Sequence, residues 1–164
     1  KPIVQTKHLN GYIPQLECLD IYKKMFKNPD FINCYGAKLD DNKIKSILER
    51  DTNYWDQYGF GPYVWFCKKT NEFVGEGGLN HVNVAGNDEI EITYSLCKDF
   101  WGQGLALEIG EFAINQAFSK LKLNNIVCFA DENNLRSLRV IEKLNFKYEK
   151  NFVYKDVKHK LYRL

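Results

Sequence analysis

From Glu89 to Leu96 the chain alternates strictly. Glu89, Glu91, Thr93 and Ser95 interleave with Ile90, Ile92, Tyr94 and Leu96. A period of two belongs to a strand with one apolar face, and it places both carboxylates on the other face. Upstream, Tyr63 to Lys69 is aromatic and β-branched, Lys69 to Glu72 reads as a hairpin turn, and Glu72 to Val84 is the return strand, weakened or bulged by its glycines. Ala85 to Asp88 is a second turn. Asn125 to Ala130 is a short apolar run, a central strand, and Phe146 to Leu164 reads as two more strands. The stretch Ile3 to Ile13 predicts one strand at the start.

Helical spacing appears in four places. Pro14 can open a helix whose inward residues are Leu16, Leu19, Tyr22, Met25 and Phe26, broken at Asn28-Pro29-Asp30. A second helix follows Asp40-Asp41-Asn42, with Ile44, Ile47, Leu48 and Trp55 on its apolar face and Gly59 and Gly61-Pro62 after it. A third spans Gly104 to Lys120. Its polar stripe is Glu108, Glu111, Asn115, Ser119 and Lys122, at steps of three and four, and most of the rest is apolar. The last runs from Asn134 to Leu144, with Leu135, Leu138, Ile141 and Leu144 inward and Asn145 suited to the left-handed position after it. The order is strand, two helices, three meandering strands, helix, strand, helix, two strands. That order predicts an α+β fold: one domain over residues 1–164, a mixed, mainly antiparallel sheet with helices on both faces.

Composition narrows the function classes. The chain has 164 residues, 45% hydrophobic and 27% charged, an ordinary globular balance. The formal net charge of +2 is too small to argue for nucleic acid as partner. No apolar run is long enough to span a bilayer and no secretory leader pattern stands at the start, although the chain opens on Lys1 rather than Met. Five widely spaced cysteines form no C-x-x-C pair and three scattered histidines form no ligand pattern, so no metal site is expected. Free thiols fit a reducing, cytoplasmic setting.

The stretch Asp99 to Ala113, "DFWGQGLALEIGEFA", places Gly102 and Gly104 around Gln103 and then enters a helix. A helix start offers unpaired N–H groups and a partial positive charge, and small residues there admit a phosphate to the backbone. A dinucleotide fingerprint needs a third glycine where Leu107 stands, and the Lys-Ser/Thr of a P-loop is absent. By itself the loop reads as an anion site or as a tight turn.

Three segments together resemble the GNAT superfamily of N-acetyltransferases, and more closely its RimJ/RimL-type branch. They are Glu91-Ile92-Thr93-Tyr94, the run Trp101-Gly102-Gln103-Gly104-Leu105-Ala106-Leu107-Glu108, and the run from Asn134 through Ser137, Arg139 and Lys143 to Phe146. The resemblance covers Glu91 to Phe146 well and the N-terminal part loosely. It implies acetyl-CoA as the acetyl donor and an amine as acceptor: a peptide N-terminus or a small amine. It also implies that the backbone of Tyr94, Ser95 and Leu96 holds the pantetheine arm. The amides of Gly102, Gln103, Gly104, Leu105, Ala106 and Leu107 would hold the diphosphate, and Asn134 would bind near the thioester.

Transfer to an amine requires a base for the ammonium, stabilisation of the thioester oxygen and a proton for the departing thiolate. Glu91 matches the family's strand glutamate and is the candidate base; Glu89, on the same face, is the second. Glu91 could equally be a solvated carboxylate on an exposed strand face, and for Glu89 that reading is the preferred one. Many family members carry a tyrosine acid where Ile141 stands; the RimJ/RimL type suggests Ser137, which could instead bond its own helix backbone. Lys98, Arg136, Arg139 and Lys143 are cations that could meet the 3′-phosphate, with Arg139 taken into the site. Trp101 either shields the glycine loop or fills core. Trp55, Tyr58, Trp65 and His81 could line an acceptor cleft or be core. Two further readings are an acyl-CoA-binding module without turnover and an interaction scaffold.

Overall fold

The computed structural model describes residues 2–29 and 38–164. Two short strands open the chain, β1 (Val4–Gln5) and β2 (Leu9–Tyr12). A 3-10 turn at Leu16–Cys18 leads into α1 (Leu19–Phe26). After α2 (Asp41–Tyr58) come β3 (Pro62–Cys67), β4 (Phe73–Val84) and β5 (Asn87–Leu96). Then follow α3 (Leu105–Asn115), β6 (Val127–Asp131), α4 (Leu135–Lys143), β7 (Lys147–Tyr154) and β8 (Val157–Arg163).

The strands form one sheet of eight in the order β1-β2-β3-β4-β5-β6-β8-β7. Every neighbouring pair is antiparallel except β5 and β6, which run parallel and touch at a single register pair, Glu91 with Val127. Helices cover both faces. Tyr22, Met25 and Phe26 of α1 and Ile44, Ile47 and Leu48 of α2 pack on Val64 of one face. Ala113 of α3 with Leu138 and Ile141 of α4 packs on Leu79 and Ile92 of the other. Among the described residues no helix is long and apolar enough to cross a membrane.

Local chemistry explains most boundaries. Asp40 caps α2, its carboxylate accepting the Lys43 N–H at 2.7 Å, and Gly59 closes that helix in the left-handed conformation. The β4–β5 hairpin turns on Ala85-Gly86, both at positive φ, so Asn87 and Asp88 join the strand. Asn145 takes φ 70 after α4, as its side chain allows.

Several expectations need correcting. The N-terminal stretch is a hairpin of two strands rather than one, because Thr6 and His8 turn the chain onto Glu108 of α3. The Glu108 carboxylate accepts the His8 N–H at 2.7 Å and lies 2.9 Å from His8 Nδ1. Within the polar stripe of α3, Glu108 therefore serves as a tether. Pro14 does not open a helix; the 3-10 turn leaves Leu16 57% exposed. Leu135 is also outward, 59% exposed, since α4 buries only Leu138 and Ile141. The third helix reaches Lys120 as expected, but its last five residues, Gln116–Lys120, widen into a π turn. That turn buries Gln116, whose amide donates to the Tyr63 hydroxyl at 3.1 Å. Asp30 and Cys34 lie outside the described residues; Cys18, Cys67, Cys97 and Cys128 are free thiols.

Candidate active site

Beyond Glu91 the parallel strands part, and the opening continues as a cleft between β5, the glycine loop and α4. The cleft has a volume of about 390 Å³. Nearly every residue expected to hold the cofactor lines it: Tyr94, Ser95, Leu96, Gly102, Gly104, Leu105, Ala106, Leu107, Asn134 and Arg139, with Ser137 beside them. Gln103 does not; its amide turns back to donate to the Asp99 carbonyl at 3.1 Å. Phe100, Trp101, Arg136, Val140 and Lys143 complete the walls.

The strand edge facing the cleft carries unmet backbone groups. In an antiparallel ladder alternate residues turn their N–H and C=O to the neighbour on the other side. The Ile92 carbonyl is reached from that side by the Cys128 thiol at 3.5 Å, and the Leu96 carbonyl by the Trp101 indole N–H at 3.0 Å. Tyr94 lies between them and shares their direction. Its N–H and C=O face the gap that β6 has left, which is what an extended amide-bearing arm requires.

The glycine loop is equally open. Gly102 and Gly104 both have positive φ, 74 and 76, and a side chain added at either would meet nothing within 4 Å. Gly104 is the N-cap of α3 and no side chain caps the helix, so its first amides point unpaired into the space that the missing side chains leave. This cradle and the edge at Tyr94 together fit a long, flexible, phosphate-bearing ligand.

At the far wall Asn134 caps α4. Its Oδ1 accepts the Ser137 N–H at 3.1 Å, leaving its Nδ2 as a donor. The Tyr94 hydroxyl lies 3.0 Å from Ser137 Oγ and donates within 3.1 Å of the Ser137 carbonyl. Burial, with the nearby Cys128, holds the Tyr94 phenol above its ordinary range, so it stays protonated. Ile141, where a tyrosine acid was absent from the sequence, is fully buried in the core. In this cleft the hydroxyls of Tyr94 and Ser137 are brought together. Sequence reasoning used Tyr94 only for its backbone; its place in the apolar set of β5 was the signal that its phenol points to the α3–α4 side.

Glu91 stands apart from the cleft, on the α1–α2 face with Asn80 opposite it on β4. It is half-buried, and desolvation raises its carboxyl to about 8 against the pull of Lys155 and Arg50. Tyr54 and Cys128 also feel its charge. Glu89 is not available as a base. Arg163 bonds its two oxygens at 2.6 and 3.3 Å and grips Glu149 with the same guanidinium. Two residues weighed for an acceptor cleft are structural. Trp65 is fully buried with its indole on the Gly77 carbonyl at 3.0 Å, and the Trp55 indole donates to the Pro62 carbonyl at 2.6 Å. The Tyr58 and His81 rings meet at 4.6 Å, tilted by 52°, and remain exposed.

These features can be set beside known proteins. The family model of the acetyltransferase (GNAT) domain matches residues 15–147. The chain belongs to the GNAT acetyltransferase family. It is an acyltransferase that takes its acetyl group from acetyl-CoA. Among relatives, the protein YkkB of Bacillus subtilis (strain 168) is 24% identical over 144 residues, 83% of each chain. YjcK of the same organism, described as a probable N-acetyltransferase, is 27% identical over 146 residues, 88% of this chain and 76% of that one. An acetyltransferase structure from Agrobacterium tumefaciens str. C58 superposes with a TM-score of 0.85 at 21% identity, over 100% of this chain and 94% of that one. RimL, a ribosomal-protein alpha-N-acetyltransferase in complex with coenzyme A, gives 0.76 at 16% identity, over 100% and 97%.

Proposed function

We propose that this GNAT enzyme acetylates a primary amine, a peptide N-terminus or a small-molecule amine, by direct transfer, in the manner of the RimJ/RimL-type branch. The observation that carries this is the position of Glu91. It sits where β5 and β6 separate, on the sheet face opposite the cofactor cleft, with its carboxyl raised to about 8 by burial. A carboxylate poised near neutrality suits a base for an ammonium.

Acetyl-CoA supplies the acetyl group as a thioester. The chain's own residues do the rest. The Tyr94 backbone and the Asn134 amide hold the arm; the amides from Gly102 to Leu107 hold the diphosphate. Arg139, on the same helix wall, meets a phosphate further along. Glu91 takes the proton of the incoming ammonium. The Tyr94 hydroxyl, set by Ser137, would donate a hydrogen bond to the departing sulfur and stabilise the charge that develops there; its raised pKa keeps it protonated for that role at neutral pH. The unpaired Thr93 hydroxyl lies between Glu91 and Ser95 on the acceptor face and adds a polar group there.

The experiment is turnover with acetyl-CoA, a thiol reagent and a panel of peptide N-termini, polyamines, aminoglycosides and amino acids. Thiol release dependent on one class of amine, with mass spectrometry of the acetylated product, identifies the acceptor. CoA binding with no turnover on any amine would overturn the proposal in favour of a binding module.

A further inference from the structure

Arg136 stands in the first turn of α4 and is exposed, yet it does not extend into solvent. Its guanidinium carbon lies 3.3 Å from the centroid of the Trp101 ring. The two residues come from opposite walls of the cleft, so the stack bridges it. Trp101 is itself fixed by its bond to the Leu96 carbonyl at 3.0 Å. Among the described residues Arg136 forms this ring contact and no hydrogen bond or ion pair.

A stacked guanidinium uses its face. Its five N–H donors lie in its plane and remain free at the edge, in the fork that matches a phosphate. Trp101 directly precedes Gly102, so this edge lies beside the glycine loop. Arg139 and Lys143 lie about 5 and 10 Å further along the same helix, at 1.5 Å per residue, and serve a phosphate more distant from the loop.

We propose that Arg136, held flat on Trp101, clamps the diphosphate of the cofactor from above while the loop amides hold it from below. This rests on the reading of the Gly102–Leu107 loop as the diphosphate seat. A phosphate bonded only by amides and a helix terminus gains a full opposite charge and two charge-assisted hydrogen bonds from such a clamp.

The test is calorimetric titration of the full chain with CoA, dephospho-CoA and pantetheine, on Arg136→Ala, Arg136→Lys and Gly104→Val. Arg136→Ala is expected to weaken CoA and dephospho-CoA by the same factor, about 10-fold or more, and to leave pantetheine unchanged. Arg136→Lys keeps the charge without the plane and is expected to recover only part of the loss. The unfolding midpoint of either Arg136 variant should stay close to the wild type, since the exposed stack on Trp101 contributes little to stability. A loss seen with CoA and not with dephospho-CoA would move Arg136 to the 3′-phosphate and overturn the clamp. Unchanged binding in Arg136→Ala alongside lost binding in Gly104→Val would overturn the clamp and leave the loop standing. Unchanged binding in Gly104→Val would overturn the loop assignment itself.

Discussion

Replacing Glu91 by Gln removes a proton acceptor and leaves shape and backbone nearly intact. Two numbers set the expected effect. A carboxyl raised to about 8 is ionised in about one molecule in ten at pH 7. Losing a positioned general base typically costs about 10²–10⁴-fold, or about 3–5 kcal/mol of barrier. Wild-type kcat/KM should therefore climb about tenfold per pH unit up to about 8, and Glu91→Gln should lie about 10–10³-fold lower at pH 7, where only a tenth of the base is ionised. Part of its rate should return at high pH, where the acceptor, with an ordinary pKa of about 8–10, is already neutral. The assay is thiol release from acetyl-CoA against pH, with CoA affinity measured separately and expected to hold. The acceptor's own titration could imitate the wild-type rise, and Lys155→Ala separates the two. Lys155 pulls Glu91 down, so its removal should move the inflection to higher pH, whereas the amine's titration stays put. Wild-type turnover in Glu91→Gln across the pH range would refute the reasoning.

Gly104→Val should weaken CoA binding at least 10-fold and cost about 1–2 kcal/mol of stability, because φ 76 is strained for a β-branched residue; calorimetry and thermal melts read both. Tyr94→Phe should lower kcat with little change in CoA affinity, since only the hydroxyl set by Ser137 is lost, and an unchanged kcat would remove Tyr94 as that donor. A pH effect on stability should come from Glu76. Burial and neighbouring Asp51 raise its carboxyl from 4.5 to about 8, so the folded chain keeps a proton that the unfolded chain loses above about 4.5. That contribution is fullest below about 4.5 and falls away as pH rises to about 8; Glu76→Gln should flatten the fall in melting temperature over that window.

The strand alternation, the helix faces and the glycine loop were legible because they are local. Period two in β5, the helix start after Asp40-Asp41-Asn42 and the Asn145 bend each depend on a few neighbouring residues. The residues of the cleft were legible for a related reason: small residues at a helix start leave open backbone, and Gly102, Gly104 and Ala106 mark where the cleft wall lies. What stayed hidden were the uses of side chains whose partners are far along the chain. Glu108 read only as one of a polar stripe because its partners Thr6 and His8 lie about a hundred positions away. Glu89 stayed a second candidate beside Glu91 until Arg163, from the last strand, took it. Leu135 looked inward because periodicity marks a stripe and not its width.

The separation of Glu91 from the cleft has a chemical consequence. Its side chain leaves β5 on the α1–α2 face, and Tyr94, three residues on, leaves on the other. At about 3.3 Å per residue their backbones are about 10 Å apart. A glutamate side chain covers about half of that, since its carboxyl lies only a few bonds from the strand. With Glu91 as the proposed base, an amine held at the Tyr94 side of β5 would reach it through a water, as several general bases use one. Shortening the side chain tests this. Glu91→Asp withdraws the carboxyl by one methylene and keeps it ionisable. If the base acts through water, a second position of that water fills the gap, and turnover should stay within about tenfold of wild type. If the carboxylate must touch the amine, Glu91→Asp should fall as far as Glu91→Gln, because a displacement near 1 Å can cost about 10²-fold. A parallel loss in the two variants, at unchanged CoA affinity, would reject the water path and require the amine to enter through the gap until it meets Glu91 itself.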